Sequence, residues 1–247
     1  EIPLRLVGSE MCIRDRDIER EKFPVHISGC IDTQKCHLIY GLSHSEHWRV
    51  IIASNEIKAR EIYDDYKLFD RDVLFYPAKD IIFFGADIQG SAISTERLKV
   101  VDAMLKNDSG TIVTTIDAGL DCIMDSQASK SSRFVIGETD IVNMDNLEKK
   151  LVDMGYERQT QVEKPGDFSV RGGITDIFPI TMDCPVRIEF FDNEVDTIRA
   201  FDVQSQRSIE RMDKVEVTPA AEMTLSDEQL KAALKKIEKE YQKMLEK

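Results

Sequence analysis

The hydrophobic pattern of this chain changes abruptly near Ile136-Gly137-Glu138. Before this point, short apolar segments alternate with helical ones, which is typical of a parallel sheet with helices on both faces. After it, one helix is followed only by short strands and turns, which indicates an antiparallel meander. The sequence therefore predicts an α/β domain joined to a small α+β domain.

The first part of the chain alternates strands and helices. Two elements carry a specific expectation: the apolar run Arg49–Ala53 is predicted to be a buried strand, and Asn55 is predicted to cap the helix that it begins. The apolar face of that helix is expected to comprise Ile57, Ile62, Tyr66 and Phe69. The predicted strands are Val25–Ser28, Arg49–Ala53, Asp72–Tyr76 and Thr111–Ile116, and the predicted helices cover Lys35–Tyr40, Asn55–Phe69 and Thr95–Lys106.

An amphipathic helix from Asn143 to Met154 opens the second part. Its apolar residues recur at spacings of three and four, which places them on one face, and Gly155 follows as the predicted C-cap. Short strands and turns then continue to about Pro219. The apolar residues of this helix are Met144, Leu147, Leu151 and Met154.

Both ends of the chain carry an expectation. Residues 1–16 follow neither a helical nor a strand period, and Val7–Arg16 resembles translated sequencing adapter, so we expect a non-native leader at 1–16, a frayed natural terminus being the alternative. Near the other end, Ser226-Asp227-Glu228-Gln229 matches a capping box and opens a last helix. Its apolar stripe lacks a neighbour in this chain, so the chain is expected to be truncated. The stripe comprises Leu230, Leu234, Ile237, Tyr241 and Met244.

The charge and the cysteine content limit the classes of function that are expected for this chain. Lys and Arg total 33 against 46 Asp and Glu, a net charge of −13. DNA binding needs clustered positive charge, so tight non-specific DNA binding is disfavoured, although a local basic patch stays open. Five cysteines without a C-x-x-C pair favour a reducing cytoplasm. No apolar run is long enough for a membrane span, and His44 and His47, the one pair that could ligate a metal, are better explained by a polar loop.

The segment Gly29 to Cys36 lies where a phosphate-binding P-loop would lie, between the first strand and a helix. That motif needs a second glycine for close approach to phosphate and a hydroxyl group for Mg²⁺. Gln34 stands at the glycine position and Cys36 at the hydroxyl position, and a thiol is a poor Mg²⁺ ligand. Gly29 and Lys35 alone keep the pattern, so we expect a degenerate site that binds no cofactor. The alternative is that Lys35 is an ordinary lysine in the first turn of a helix.

An exposed strand face is the strongest candidate for a binding site. Side chains of Val186–Phe191 alternate between a core face and an opposite face. An aromatic beside an arginine on an exposed face has the composition of an interaction hot spot. Alternatively, the charged residues pair with neighbours and Phe191 packs under a loop. The core face comprises Val186, Ile188 and Phe190, and the opposite face comprises Arg187, Glu189 and Phe191.

The stretches Pro165–Pro179 and Pro185–Asp196 resemble the UvrB interaction domain shared by the excision-repair protein UvrB and the bacterial transcription-repair coupling factors. The turn Gly172-Gly173 leaves the preceding arginine unobstructed. In both kinds of protein the domain docks onto UvrA, in the coupling factors through two arginines and a phenylalanine, and no catalysis is expected in this region. The resemblance implies that Arg171, Arg187 and Phe191 are the UvrA contacts.

The resemblance, which extends from about Gly29 to Glu222, also implies a division of the chain. Residues 1–16 would be the leader, 17–138 a degenerate RecA-like, P-loop-type domain, 139–219 the inserted UvrB-interaction domain, and 220–247 the start of a further domain. UvrB carries an aromatic-rich DNA-clamping hairpin for which Tyr76–Arg97 is too short. The resemblance therefore favours the N-terminal region of a coupling factor, which reaches RNA polymerase and DNA, and uses ATP and Mg²⁺, through regions absent here. Two alternatives stay open: a UvrB-type helicase fragment that handles nucleotide or DNA, and a structural domain that masks other parts of its own protein.

Overall fold

The structure is a computed structural model and describes residues 28–42, 47–79, 87–121, 132–222 and 227–245. The chain divides into two compact units. Residues up to 84 and 106–121 belong to the first unit, and residues 85–105 and those from 122 onward to the second. The predicted domain boundaries after residues 138 and 219 stay predictions. The predicted leader, most of the strand Val25–Ser28, His44 and the capping residue Ser226 lie outside the described residues.

The elements of the first part are, in chain order, α1 (Asp32–Leu42), β1 (Trp48–Ala53), α2 (Glu56–Tyr66), β2 (Leu74–Tyr76), α3 (Asp87–Lys106), β3 (Gly110–Thr115) and α4 (Ile116–Leu120). Strand β3 lies between β1 and β2 and pairs with both in parallel, so the predicted parallel sheet is confirmed. Helix α3 begins eight residues before the predicted start at Thr95, and nearly all of it belongs to the second unit.

Helix α2 packs against the sheet of the first unit. The side chain of Asn55 accepts a hydrogen bond from the Lys58 backbone N–H at 2.9 Å, which confirms the predicted N-cap. Tyr66, the last residue of the helix, is fully buried and contacts the rings of Phe69 and Tyr40 edge-on. The buried core of this unit comprises Cys36, Ile51, Ala53, Ala59, Tyr66, Val73, Phe75 and Val113.

Two predictions about burial in this unit were wrong. Strand β1 is buried on one face only, because Val50 and Ile52 are 57% and 59% exposed. Ile57 was expected on the core face of α2, yet it is 74% exposed. Its spacing of five residues from Ile62 places it off the stripe, and Ala59, seven residues before Tyr66, takes the buried position.

The elements of the second part are β4 (Phe134–Gly137), α5 (Met144–Asp153), β5 (Glu157–Arg158), β6 (Asp167–Arg171), β7 (Ile174–Ile177), β8 (Val186–Phe191), β9 (Glu194–Phe201), β10 (Ser208–Arg211), β11 (Lys214–Val217) and α6 (Asp227–Leu245). Strands β10-β9-β8-β7-β6-β5 form one sheet in that order, and β11 pairs with β4 in another. From β6 to β10 every neighbouring pair is antiparallel, so the predicted meander is confirmed.

Helix α5 provides the helical layer of the second unit. Asn143 caps it by accepting a hydrogen bond from the Asn146 backbone N–H at 3.0 Å, and Gly155 follows its C-cap with a φ of +89°. Leu147 and Leu151 are buried, as predicted. They belong to a buried core that comprises Ile136, Leu147, Leu151, Met154, Tyr156, Phe168, Ile177, Val186, Ile188, Val195, Ile198, Val215 and Val217.

Two ion pairs join α3 to residues that come later in the second unit. The side chain of Arg97 is fully buried, and its Nε donates to both carboxylate oxygens of Glu222 at 3.2 and 3.1 Å. Arg133 makes a second pair with Asp102 of α3 at 3.2 Å. These pairs give a physical reason why α3 belongs to the second unit, since a buried arginine is stable only beside its carboxylate.

Candidate protein-binding site

The turn between β6 and β7 fixes the position of Arg171. Gly172 has a φ of +60°, a conformation that other residues rarely adopt. A Cβ on Gly173 would lie 3.0 Å from the carbonyl oxygen of Phe190, and the Gly173 carbonyl accepts a hydrogen bond from the Phe190 N–H at 2.8 Å. The tight turn expected at Gly172-Gly173 is present, and its hydrogen bond joins the turn after β6 to the end of β8.

The two faces of β8 are those that the alternation predicts. Val186 and Ile188 are fully buried, and Phe190 packs against the same core. The other face of β8 continues onto β9, because Arg187 lies opposite Arg199 and Phe191 lies opposite Glu194. A β-bulge next to Glu189 leaves the alternation of β8 intact, because the extra residue lies in β9.

A buried carboxylate joins the two predicted arginines. Asp176, on β7 directly opposite Arg187, is 1% exposed at its side chain. It accepts hydrogen bonds from Arg187 Nε and Nη2 at 2.7 and 2.9 Å, and from Arg171 Nη2 at 2.6 Å. The structure therefore brings Arg171 and Arg187 together on one acid, with one positive charge in excess.

Arg187 is held far more firmly than Arg171. Its guanidinium lies 4.4 Å from the ring centroid of the buried Phe201, and Nη2 also donates to Gln206 at 2.9 Å. The hydrogen bond to Asp176 raises the pKa of Arg187 above its usual value. The Arg187 side chain is 20% exposed and that of Arg171 is 51% exposed. Arg171 thus has the more accessible donors.

Phe191 is the most exposed large apolar side chain of β8 and β9, at 81%. It ends β8 just before Asp192, which takes a φ of +60° in the turn to β9. The alternative in which Phe191 packs under a loop is wrong. The alternative in which the charged residues pair with neighbours is confirmed, because Arg187 pairs with Asp176 and Glu189 accepts from Arg199 Nη2 at 2.8 Å.

Asp176 was not identified from the sequence. A signal was present, since Asp176 lies inside a short segment of strand-forming residues, between Thr175 and Ile177. A carboxylate buried in such a strand needs a cationic partner. Gln206, which holds Arg187 from a turn with a φ of +57°, left no comparable pattern in the sequence.

The predicted remnant of a P-loop lies at the start of α1, in the first unit. Gly29 is exposed with a φ of +80°, Gln34 is half-buried and Lys35 is exposed. Cys36 is 1% exposed, and its Sγ lies 3.9 Å from the backbone carbonyl oxygen of Ile62. The residue at the hydroxyl position of the motif therefore packs into the core of this unit.

In the part of the chain that the structure describes, no three histidine, cysteine, aspartate or glutamate residues come together as a metal site would require. Among the same residues, no helix combines the length and apolar composition needed to cross a bilayer.

Comparison with known proteins gives a specific match to this part of the chain. Residues 135–223 match the family described as UvrB interaction domain. The transcription-repair-coupling factor of Bacillus subtilis (strain 168) is 36% identical over 190 residues, which is 76% of this chain and 16% of that protein. That of Staphylococcus epidermidis (strain RP62A) is 30% identical over 219 residues, 87% of this chain and 19% of that protein. The chain thus spans less than a fifth of the length of these curated relatives.

Proposed function

Because this chain belongs to the transcription-repair-coupling factor family, as its N-terminal region with a UvrB interaction domain, we propose that it binds UvrA. In the whole protein, this contact would recruit nucleotide excision repair to an RNA polymerase stalled at a lesion. The contact would be made by Arg171, Arg187 and Phe191. The chain itself would supply recruitment and no catalysis.

The observation that carries this proposal is the exposed arginine and aromatic at one end of the six-stranded sheet. Phe191 is 81% exposed and the Arg171 side chain 51% exposed, and the Gly173–Phe190 hydrogen bond ties their two strand ends together. Burying such a phenylalanine against a partner removes a large apolar area from water. Arginine and aromatic residues dominate the binding free energy of most protein interfaces.

The three residues would contribute to UvrA binding in different ways. Arg171 uses one nitrogen for Asp176, so its other donors can reach a carboxylate of UvrA. Arg187 is bound on two sides by Asp176 and Gln206, and it would chiefly hold Asp176 in place. Phe191 would fill an apolar pocket. Since Asp176 balances only one of the two arginines, one positive charge is left at this point of the face, which suits an acidic group on the partner.

The P-loop remnant supports a role without nucleotide. With Cys36 buried in the core, no hydroxyl lies at that position for Mg²⁺, and Gln34 lies at the glycine position. The fold would then be a degenerate RecA-like domain at 17–138, with the UvrB-interaction domain at 139–219 and the start of a further domain at 220–247. ATP, Mg²⁺, RNA polymerase and DNA would be handled by other regions of a cytoplasmic protein.

Calorimetric titration of the chain with purified UvrA at physiological salt tests the proposal. Saturable binding at a single class of sites is the expected result. Absence of binding by a folded chain would contradict it and favour a structural domain that masks other parts of its protein. A rise in the melting temperature with Mg-ATP would favour the UvrB-type alternative, because a ligand that binds only the folded state stabilises it.

A further inference from the structure

We propose that Ile141 is a second apolar contact of the UvrA-binding face, next to Phe191. The inference rests on the proposed UvrA binding and extends it to a residue outside the strand–turn motif. Ile141 is 85% exposed, even more than Phe191 at 81%. An isolated exposed isoleucine is ordinary on a protein surface. Ile141 differs from such a residue because it is paired in register with β9 and because its backbone is held rigidly.

Ile141 pairs with the first residue of β9. It forms an antiparallel bridge with Glu194, and Glu194 in turn faces Phe191 across the hairpin. The bridge is flanked by two hydrogen bonds, from Val142 N–H to the Asn193 carbonyl at 2.7 Å and from Val195 N–H to the Asp140 carbonyl at 2.9 Å. Ile141 and Glu194 are therefore a non-hydrogen-bonded pair, the kind in which side chains approach most closely.

Residues paired across antiparallel strands point to the same face of a sheet. Phe191, Glu194 and Ile141 consequently form one row across the sheet, with the carboxylate between two apolar side chains. Ile141 and Phe191 are two strand spacings apart, or about 10 Å. Phe191 lies on the same face as Arg187, so the row continues the arginine face at its end.

The backbone that carries Ile141 is fixed on both sides. Arg211 Nε donates to Glu138 at 2.8 Å, and the Asp140 side chain accepts from the Gly137 N–H at 2.7 Å. Thr139 takes a φ of +71°, which is unfavourable for a β-branched residue, and its N–H donates to the Val195 carbonyl at 2.9 Å. The segment is thus held in a strained conformation, and the isoleucine that it presents is left unpacked.

One partner would cover both ends of this face. A standard interface buries about 800 Å² on each side, a patch roughly 30 Å across, and a row about 10 Å long that adjoins the arginines fits within it. The face combines an excess positive charge at Arg171 and Arg187 with two exposed apolar side chains. UvrA would therefore meet it with an acidic group opposite the arginines and an apolar surface opposite Phe191 and Ile141.

Cross-saturation in nuclear magnetic resonance tests this contact directly. In a deuterated chain with protonated isoleucine and valine methyl groups, saturation of bound UvrA is expected to reduce the Ile141 signal strongly. The methyl groups of Val152 serve as the control and should keep their intensity, because Val152 is 54% exposed on α5, which covers the opposite face of the sheet. An Ile141 signal that keeps its intensity as well as Val152 does would overturn the inference.

A titration of variants separates this inference from the proposed function. Ile141→Ala is expected to weaken UvrA binding about tenfold, and Val152→Ala on α5 to leave it unchanged. If Arg171→Ala weakens binding while Ile141→Ala does not, the inference fails and the proposed function stands. If the unaltered chain does not bind UvrA at all, both fail together.

Discussion

Asp176 and Arg187 lie directly opposite each other on β7 and β8, and the carboxylate accepts two hydrogen bonds from the guanidinium, at 2.7 and 2.9 Å. The side chain of Asp176 is 1% exposed, so its charge is stable only because the arginines are present. The same contact that stabilises the fold therefore orients the binding face. Substitution of single residues can nevertheless separate effects on stability from effects on UvrA binding.

Loss of the Asp176 charge should destabilise the chain. Asp176→Asn keeps the shape of the side chain but leaves Arg187 half-buried without its anion, so the free energy of unfolding should fall by about 3 kcal/mol. Urea denaturation measures it. In the control Glu189→Gln, the partly exposed pair with Arg199 is lost, and the change should stay below about 1 kcal/mol. Equal effects of the two substitutions would show that Asp176 is not the central anion of this face.

The two arginines should differ in what they contribute. Arg187→Ala should lower both stability and UvrA binding, because it leaves Asp176 buried with only one partner. Arg171→Ala should weaken UvrA binding by on the order of 2 kcal/mol, with a stability change within about 0.5 kcal/mol. Denaturation and calorimetry on the same samples measure both effects. A loss of stability in Arg171→Ala as large as that in Arg187→Ala would contradict this division.

Gly155 should tolerate no side chain. It has a φ of +89°, and an added Cβ would lie 2.4 Å from the Cβ of Ala221. Gly155→Ala should lower the free energy of unfolding by about 3 kcal/mol, combining left-handed strain with overpacking. Gly172→Ala is the matched control, because Gly172 has a φ of +60° but nothing within 4 Å of an added Cβ. It should cost only about 1 kcal/mol. If the two variants unfold at the same urea concentration, the close approach of Ala221 is not what constrains Gly155.

Tyr156 should make stability fall at alkaline pH. Burial raises the pKa of its hydroxyl, which donates to the Thr218 carbonyl at 2.8 Å. A folded-state pKa above the unfolded value stabilises the fold below the unfolded pKa of about 10, and this contribution is lost as the pH rises further. The stability advantage of the unaltered chain over Tyr156→Phe should therefore shrink by about 1 kcal/mol per pH unit above pH 10. Denaturation of both proteins between pH 8 and 11 measures it, and an advantage independent of pH would contradict the burial of this hydroxyl.

The sequence predicted those parts of the fold that local pattern controls. Strict alternation in Val186–Phe191 defined the two faces of β8, and Asn143 with the apolar spacing behind it defined α5. Each of these signals is contained in a short segment of the chain, where the direction of the side chains follows from the period of the backbone alone.

Features that depend on contacts between distant residues could not be read in this way. The exposure of Ile57 depends on which of two neighbouring stripes faces the sheet. Asp176 meets Arg187 only because β7 and β8 pair in one particular register, and Ile141 reaches Glu194 through a bridge across more than 50 residues. Register is decided by the packing of the whole sheet, and no single segment contains it.

The most direct test of the central claim is the affinity of the Phe191→Ala variant for UvrA, measured by calorimetry beside the Val152→Ala control. Both substitutions remove part of an exposed apolar side chain, so neither should alter the fold, and Val152 lies on α5, on the opposite side of the sheet. Phe191→Ala is predicted to weaken binding by on the order of 2 kcal/mol, about thirtyfold, and Val152→Ala to leave it unchanged. Unchanged affinity in Phe191→Ala, or equal losses in both variants, would contradict the assignment of this face to UvrA.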